Sequence, residues 1–203
     1  MKILIEKTNK KDFSQTENIT REAFWNLYKP GCEEHLILHN IRKTKSYISE
    51  LDRVAFFENE IIGHIISTKA KVIDSQNNEH EILCVGPISV LPKFQNKGVG
   101  SQLINESIKV AKELGYLGMI LFGNPDYYHR FGFKNAKEFF ITTKDGQNFE
   151  PFMALELTNN GFVNIQGKFF EDKAFETQAD DLNDFEKNFP FKEKLVTDTQ
   201  FKH

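Results

Sequence analysis

Residues Ile82 to Leu114 read ILCVGPISVLPKFQNKGVGSQLINESIKVAKEL. The stretch opens as an almost unbroken apolar run, the pattern of a strand covered on both faces. A polar turn follows, Gln95-Asn96-Lys97-Gly98-Val99-Gly100, and then a periodic helix. Val99, Leu103, Val110, Ala111 and Leu114 share one helical stripe, and Gly115 stands where a C-terminal cap belongs. Strand, glycine-bearing turn and helix together make a phosphate cradle. The first-turn N–H groups lack intrahelical acceptors, and the helix dipole adds partial positive charge there. Gly98 and Gly100 let an anion reach the backbone with no Cβ in the way. Two familiar phosphate motifs fail on spacing. A dinucleotide fingerprint needs a glycine where Leu103 stands, and a P-loop needs Gly-Lys-Ser/Thr, whereas Gly98 precedes Val99.

The rest of the chain sets the bounds. At 203 residues it suits one domain with a real core. A net charge of −3 argues against a general nucleic-acid binder. Cys32 and Cys84 match neither a disulfide framework nor a zinc or CxxC pattern, so no metal is expected. Cys84 reads as a small buried hydrophobe, and Cys32 as a loop residue after Pro30-Gly31. The start, MKILIEKTNKKDF, has no signal-peptide core, and no apolar run approaches membrane-spanning length. A cytoplasmic protein without a membrane partner is expected, as a monomer or homodimer.

Taken in order, Lys2 to Glu6 alternates as a strand, and Ile19, Ala23, Phe24 and Leu27 mark a helix over Asp12 to Tyr28. A second helix is expected from Glu33 to about Tyr47. Strands are expected at Asp52 to Phe57 and Glu60 to Ile73 around a Glu58-Asn59 turn, feeding the central strand in an antiparallel meander. Leu117 to Phe122, reached through the helix, then lies parallel to it. Two more strands are expected at Glu138 to Thr143 and Phe152 to Leu157. The fold class is α/β (α+β), a mixed and mostly antiparallel sheet flanked by helices, with a central parallel pair. Residues 158–203 read as an extension packed on the same domain, with an acidic helix at Gln178 to Phe189 that docks through Phe185 and Phe189.

Several groups bear chemistry. Gly86-Pro87 interrupts the central strand, where proline removes a ladder donor and forces a bulge or a lost partner. If the parallel strands part there, the backbones of Ile88 and Val90 are left to pair with a peptide-like ligand. Asn124-Pro125-Asp126-Tyr127-Tyr128 starts a very short helix, with Asn124 as N-cap and Pro125 at its first position. His64, inside IIGHII, reads as a hydrogen-bonded core residue.

The segments GPISVLPKFQNKGVGS (86–101), GNPDYYHRFGF (123–133) and PFMALEL (151–157) resemble the GNAT family of N-acetyltransferases, and within it the bacterial YhbS-like predicted acetyltransferases. The resemblance covers about residues 1–157. It implies acetyl-CoA as co-substrate and an amine as acceptor, a small molecule or a protein amine. By that resemblance Ile88, Ser89, Val90, Gln95, Asn96, Lys97, Gly98, Val99, Gly100, Ser101, Asn124 and Tyr128 hold the cofactor. Tyr128 is then the acid that protonates the departing thiolate, with Tyr127 as fallback. Glu33 and Glu34, opening the second helix, border the acceptor. The family-type glutamate just before Gly86 is absent, since Leu83-Cys84-Val85 stands there, and Glu81 acting through water is the candidate base. The alternative is a non-catalytic acyl-CoA sensor or scaffold.

Overall fold

The computed structural model describes residues 1–198 and 200. Its elements are β1 (Leu4–Lys7), α1 (Phe13–Phe24), α2 (Glu34–Ile41), β2 (Tyr47–Phe57), β3 (Glu60–Ile73) and β4 (Glu79–Val90). After these come α3 (Val99–Glu113), β5 (Gly118–Phe122), α4 (Pro125–Tyr128), β6 (Lys134–Asn135), β7 (Ile141–Thr143), β8 (Phe152–Glu156), β9 (Gly167–Phe170) and α5 (Ala179–Glu186). The strands form one mixed sheet in the order β1-β2-β3-β4-β5-β8-β6, with β9 paired to β3 and β7. β4 and β5 are parallel, as are β7 and β9, and the remaining pairs are antiparallel.

The expected interruption at Gly86-Pro87 is a bulge. Ile65 faces Ile88 and Ser67 faces Val85, so Gly86 and Pro87 together oppose Ile66 alone. On its other side β4 pairs with β5 only at Leu83↔Met119 and Cys84↔Ile120. Beyond Cys84 the parallel strands separate. The α3 stripe packs beneath them through Val99, Leu103, Ile104, Val110 and Ala111. Leu114 does not join it; it follows the helix and is exposed.

Several expected boundaries move. α1 stops at Phe24, because Asn26 takes a left-handed φ of 60° and turns the chain. α2 ends at Ile41, and Tyr47 already belongs to β2, where a register shift between Tyr47 and Asp52 masks the strand alternation. The segment expected as a strand from Glu138 begins as a 3-10 turn, capped by Asn135 and closed by Phe140 at φ 58°. β6 and β9 were not anticipated, being two and four residues long.

The chain beyond residue 157 builds into the core. Phe162, Ile165 and Phe169 pack with Ile82, Cys84 and Ile120. Gly118 is required at that contact, since a Cβ there would lie 2.1 Å from the Phe162 ring. α5 packs against α2, with the Phe185 ring tilted 4.5 Å from His39 and Phe189 edge-on to His35. Glu186 meets the buried Arg21 at 2.8 Å and lies 2.6 Å from His35.

Asp52 and His64, both fully buried, lie 2.7 Å apart, and Arg42 reaches Asp52 at 2.9 Å. Arg42 also donates to Thr16 of α1, and Tyr47 donates to Asp52. His64 is therefore a core residue with a partner, as expected. Burial alone would raise the Asp52 carboxyl, but His64 and Arg42 outweigh it and hold the group far below the ordinary aspartate value of 3.8. A depressed carboxyl contributes stability above its unfolded value and loses it as pH falls through the folded one. Asp52→Asn leaves Arg42 buried without its counter-charge and should cost about 3 kcal/mol in urea unfolding at neutral pH. The same variant should show a shallower loss of stability on acidification below pH 3.8 than the parent.

Candidate active site

The gap left between β4 and β5 opens into one cleft of about 810 Å³. Its geometry begins at the β4 backbone. Leu91 N–H donates to Ile62, so the 62/91 pair is hydrogen-bonded, while Gly63↔Val90 and Ile65↔Ile88 are pairs of the alternate kind. The N–H and C=O groups of Ile88 and Val90 thus turn away from β3 and toward the gap. Val90 C=O is taken by the Gln95 side chain at 3.1 Å, which braces the turn against the strand. The free strand edge has the polarity of a missing neighbour.

At one end of the cleft lies the α3 N-terminus. Gly98 caps it at φ 81°, a left-handed value that suits glycine, and Asn96 takes φ 58°. The N–H groups of Val99, Gly100 and Ser101 have no acceptor within the helix. Gly98, Val99, Gly100 and Ser101 all line the cleft, as do Gln95 and Asn96. Gly100 faces the Tyr127 hydroxyl, which would stand 2.7 Å from a Cβ at that position. Arg130 stacks over the Tyr127 ring at 4.8 Å. Backbone donors and the positive end of the helix dipole thus meet at this end.

At the middle, α4 delivers Tyr128. The Asn124 side chain accepts from Asp126 N–H at 3.0 Å, starting the helix where β5 ends. Tyr128 is only 9% exposed, edge-on to Phe133 and Tyr127, and lines the cleft. Burial, with smaller contributions from Tyr127 and Tyr28, pushes its phenol well above 10, so it holds its proton at neutral pH.

The cleft is also lined by Phe24, Tyr28, Glu34 and Ile37 from the α1–α2 region and by Glu171 and Phe175 after β9. Burial raises the Glu34 carboxyl, and burial likewise raises Glu171.

Of the residues singled out from the sequence, Ile88, Val90, Gln95, Asn96, Gly98, Val99, Gly100, Ser101, Asn124, Tyr128 and Glu34 come together on this cleft. Four do not. The Ser89 side chain turns into the core and bonds Thr20 at 3.0 Å, because neighbours on a strand face opposite ways. Lys97 folds back to the Lys93 carbonyl. Glu33 is held outside by Lys29 at 2.7 Å and by Thr177. Glu81 lies on the paired end of β4, ion-paired with Lys69 on the surface and remote from the parted edge. Sequence reasoning missed Tyr28, Phe122, Arg130, Glu171 and Phe175. Arg130 lay inside the quoted motif, whereas no periodicity marked the segment around Glu171. Cys84 lines the floor, but burial drives its thiol well above the ordinary range and leaves it inert.

Parted parallel strands over a helix N-terminus, with a buried phenol between, define an α/β fold with a cleft through its sheet. Residues 14–133, more than half of the chain, match the acetyltransferase (GNAT) family model, and the chain belongs to that family. It is 26% identical over 127 residues to the uncharacterized N-acetyltransferase YjhQ of Escherichia coli K12, covering 63% of this chain and 67% of that one. To the uncharacterized N-acetyltransferase YhbS of the same strain it is 29% identical over 79 residues, 39% of this chain and 46% of the relative. Its fold resembles that of E. coli YhbS in complex with CoA, with a TM-score of 0.77 at 21% identity over 87% of this chain and 93% of the other. A GNAT acetyltransferase from Brucella melitensis in complex with acetyl-CoA gives a TM-score of 0.71 at 26% identity, covering 86% and 99%.

Tyr128 is seated by a missing side chain. A Cβ on Gly123 would fall 2.3 Å from its ring. Gly123→Ala should therefore displace the ring, cost about 1–3 kcal/mol of stability, and bring the Tyr128 phenol down toward 10 in a spectrophotometric titration. An unchanged titration would show that the ring is held by other contacts.

Proposed function

We propose that the protein is an acetyl-CoA-dependent N-acetyltransferase that moves an acetyl group to a primary amine by direct attack in a ternary complex. The observation that carries this reading is the continuity of the cleft. One gap joins the α3 N-terminus, the unpaired edge of β4 and the Tyr128 phenol. The relatives solved with CoA and acetyl-CoA support it.

Acetyl-CoA supplies the acyl group as a thioester: a C–N bond forms at the amine and the C–S bond breaks. The chain's own groups do the rest. The amides of Val99, Gly100 and Ser101 bind the pyrophosphate, helped by the helix dipole. The edge of β4 at Ile88 and Val90 pairs with the amides of the pantetheine arm as a surrogate strand. The N–H near Ile88 polarises the thioester carbonyl. An amine of ordinary pKa is mostly protonated at neutral pH and must lose a proton before attack. Its proton leaves toward the acceptor end, where the carboxylates on the wall are Glu34 and Glu171; Glu81, on the outer surface, is not among them. Tyr128 keeps its proton until the thiolate departs, and then donates it to sulfur.

Two variants test these roles. Gly100→Asp brings a negative charge and a side chain to the cradle and should weaken acetyl-CoA binding about tenfold or more by calorimetry; unchanged affinity in a folded protein would remove the cradle. Tyr128→Phe keeps the ring and loses only the donor. Its kcat for CoA release with an active amine should fall by roughly 10²–10⁴-fold while acetyl-CoA affinity stays the same. Tyr127→Phe should do much less. Full turnover in Tyr128→Phe, with chemistry rate-limiting, would assign the proton to another group.

A further inference from the structure

Resting on the acetyl-transfer reading, we propose that Tyr127 is a binding residue for the cofactor. Its hydroxyl, seated in the space that Gly100 leaves, donates to the pyrophosphate of acetyl-CoA.

The two glycines of the turn serve different ends. Gly98 takes φ 81°, and a Cβ there would meet nothing within 4 Å, so glycine at 98 answers a backbone requirement. Gly100 lies within α3 with no left-handed φ, and needs no such freedom. What it needs is room. A Cβ at 100 would lie 2.7 Å from the Tyr127 hydroxyl. The next nearest atoms, on Ile88 and on the Tyr127 ring, would stand at an ordinary 3.9 Å. Outside α3 itself, only that hydroxyl among the described residues would have to move.

The hydroxyl is held in this seat. Tyr127 and Tyr128 are consecutive on α4, so their side chains leave the helix about 100° apart. Tyr128 is buried, whereas Tyr127 reaches the first turn of α3. The Tyr127 ring stands edge-on to Tyr128 at 5.1 Å and to Phe131 at 5.5 Å, and Arg130 covers a face at 4.8 Å. Swinging the ring away would forfeit all three contacts, so the donor is pre-organised. Other donors stand beside it. Gln102 N–H bonds the Gly98 carbonyl, which leaves the amides of Val99, Gly100 and Ser101 without helical acceptors. The Tyr127 hydroxyl likewise has no hydrogen-bond partner among the described residues. A phenol O–H next to these amides, on a cleft that all four residues and Arg130 line, suits a ligand with several anionic oxygens. The tyrosine pair thus divides its work: Tyr128 gives the proton, and Tyr127 holds the cofactor.

The test is a double-mutant cycle on the full chain, read by calorimetry with CoA and with dephospho-CoA, which keeps the pyrophosphate and lacks the 3′-phosphate. Tyr127→Phe should weaken both ligands by the same factor, about tenfold. It removes one oxygen and keeps the ring contacts, so its loss reads the donor and not the fold. Gly100→Ala, which drives the hydroxyl from its seat, should cost as much. Adding Gly100→Ala to Tyr127→Phe should cost less than about twofold more, since the new methyl then meets only ordinary contacts. Additive losses would show that Gly100 makes room for the ligand and not for Tyr127, and would overturn the proposal. Parental affinity in Tyr127→Phe, or a loss with CoA that dephospho-CoA does not share, would overturn it as well. A parent chain that binds neither ligand would instead overturn the acetyl-transfer reading on which the proposal rests.

Discussion

The site depends on a two-residue bulge. Because Gly86 and Pro87 together face Ile66, β4 turns just where its pairing with β5 ends at Cys84 and Ile120. Proline has no N–H for a ladder, and glycine at 86 lets the strand approach Ile66, whose Cγ2 would stand 3.0 Å from a Cβ there. A sheet that closed normally would bury this edge against β5. Here the edge at Ile88 and Val90 stays polar and open, directly above the start of α3. Cleft, cradle and phenol are consequences of that one interruption.

An open gap through a sheet weakens it, and buried charge holds the remainder in place. Arg42, Asp52 and His64 tie β2 and β3 to α1, and Glu186 fastens α5 to Arg21 beside His35. Such pairs add little net stability over apolar packing, but each is costly to break singly, so they fix one arrangement of the α1–α2 region. That region and the segment after β9 line part of the cleft.

Much of this was legible in the sequence because it was local. The strand, glycine turn and helix of 82–114 were set by short-range chemistry, as were β3, the bulge at Gly86-Pro87 and the Asn124 cap. The short elements were not, since β6 and β9 offer too few residues for any period to show. Glu81 was misplaced for a related reason. Proximity to Gly86 in sequence put it on the same strand, but the ladder sets it opposite Lys71, before the short pairing with β5 and away from the gap beyond Cys84, where Lys69 holds it on the surface. Glu171 was invisible, because its place on the cleft depends on β9 pairing with β3, far apart in the chain, as in Lys71↔Phe170.

The central claim is that the edge of β4 facing the gap is the docking strand for the arm of acetyl-CoA. Residue-resolved amide hydrogen exchange with and without CoA tests it most directly. Ile88 and Val90 should exchange fast in the free protein and become strongly protected with CoA, together with Val99, Gly100 and Ser101 at the start of α3. CoA binding that protects the α3 amides but leaves Ile88 and Val90 unchanged would contradict it.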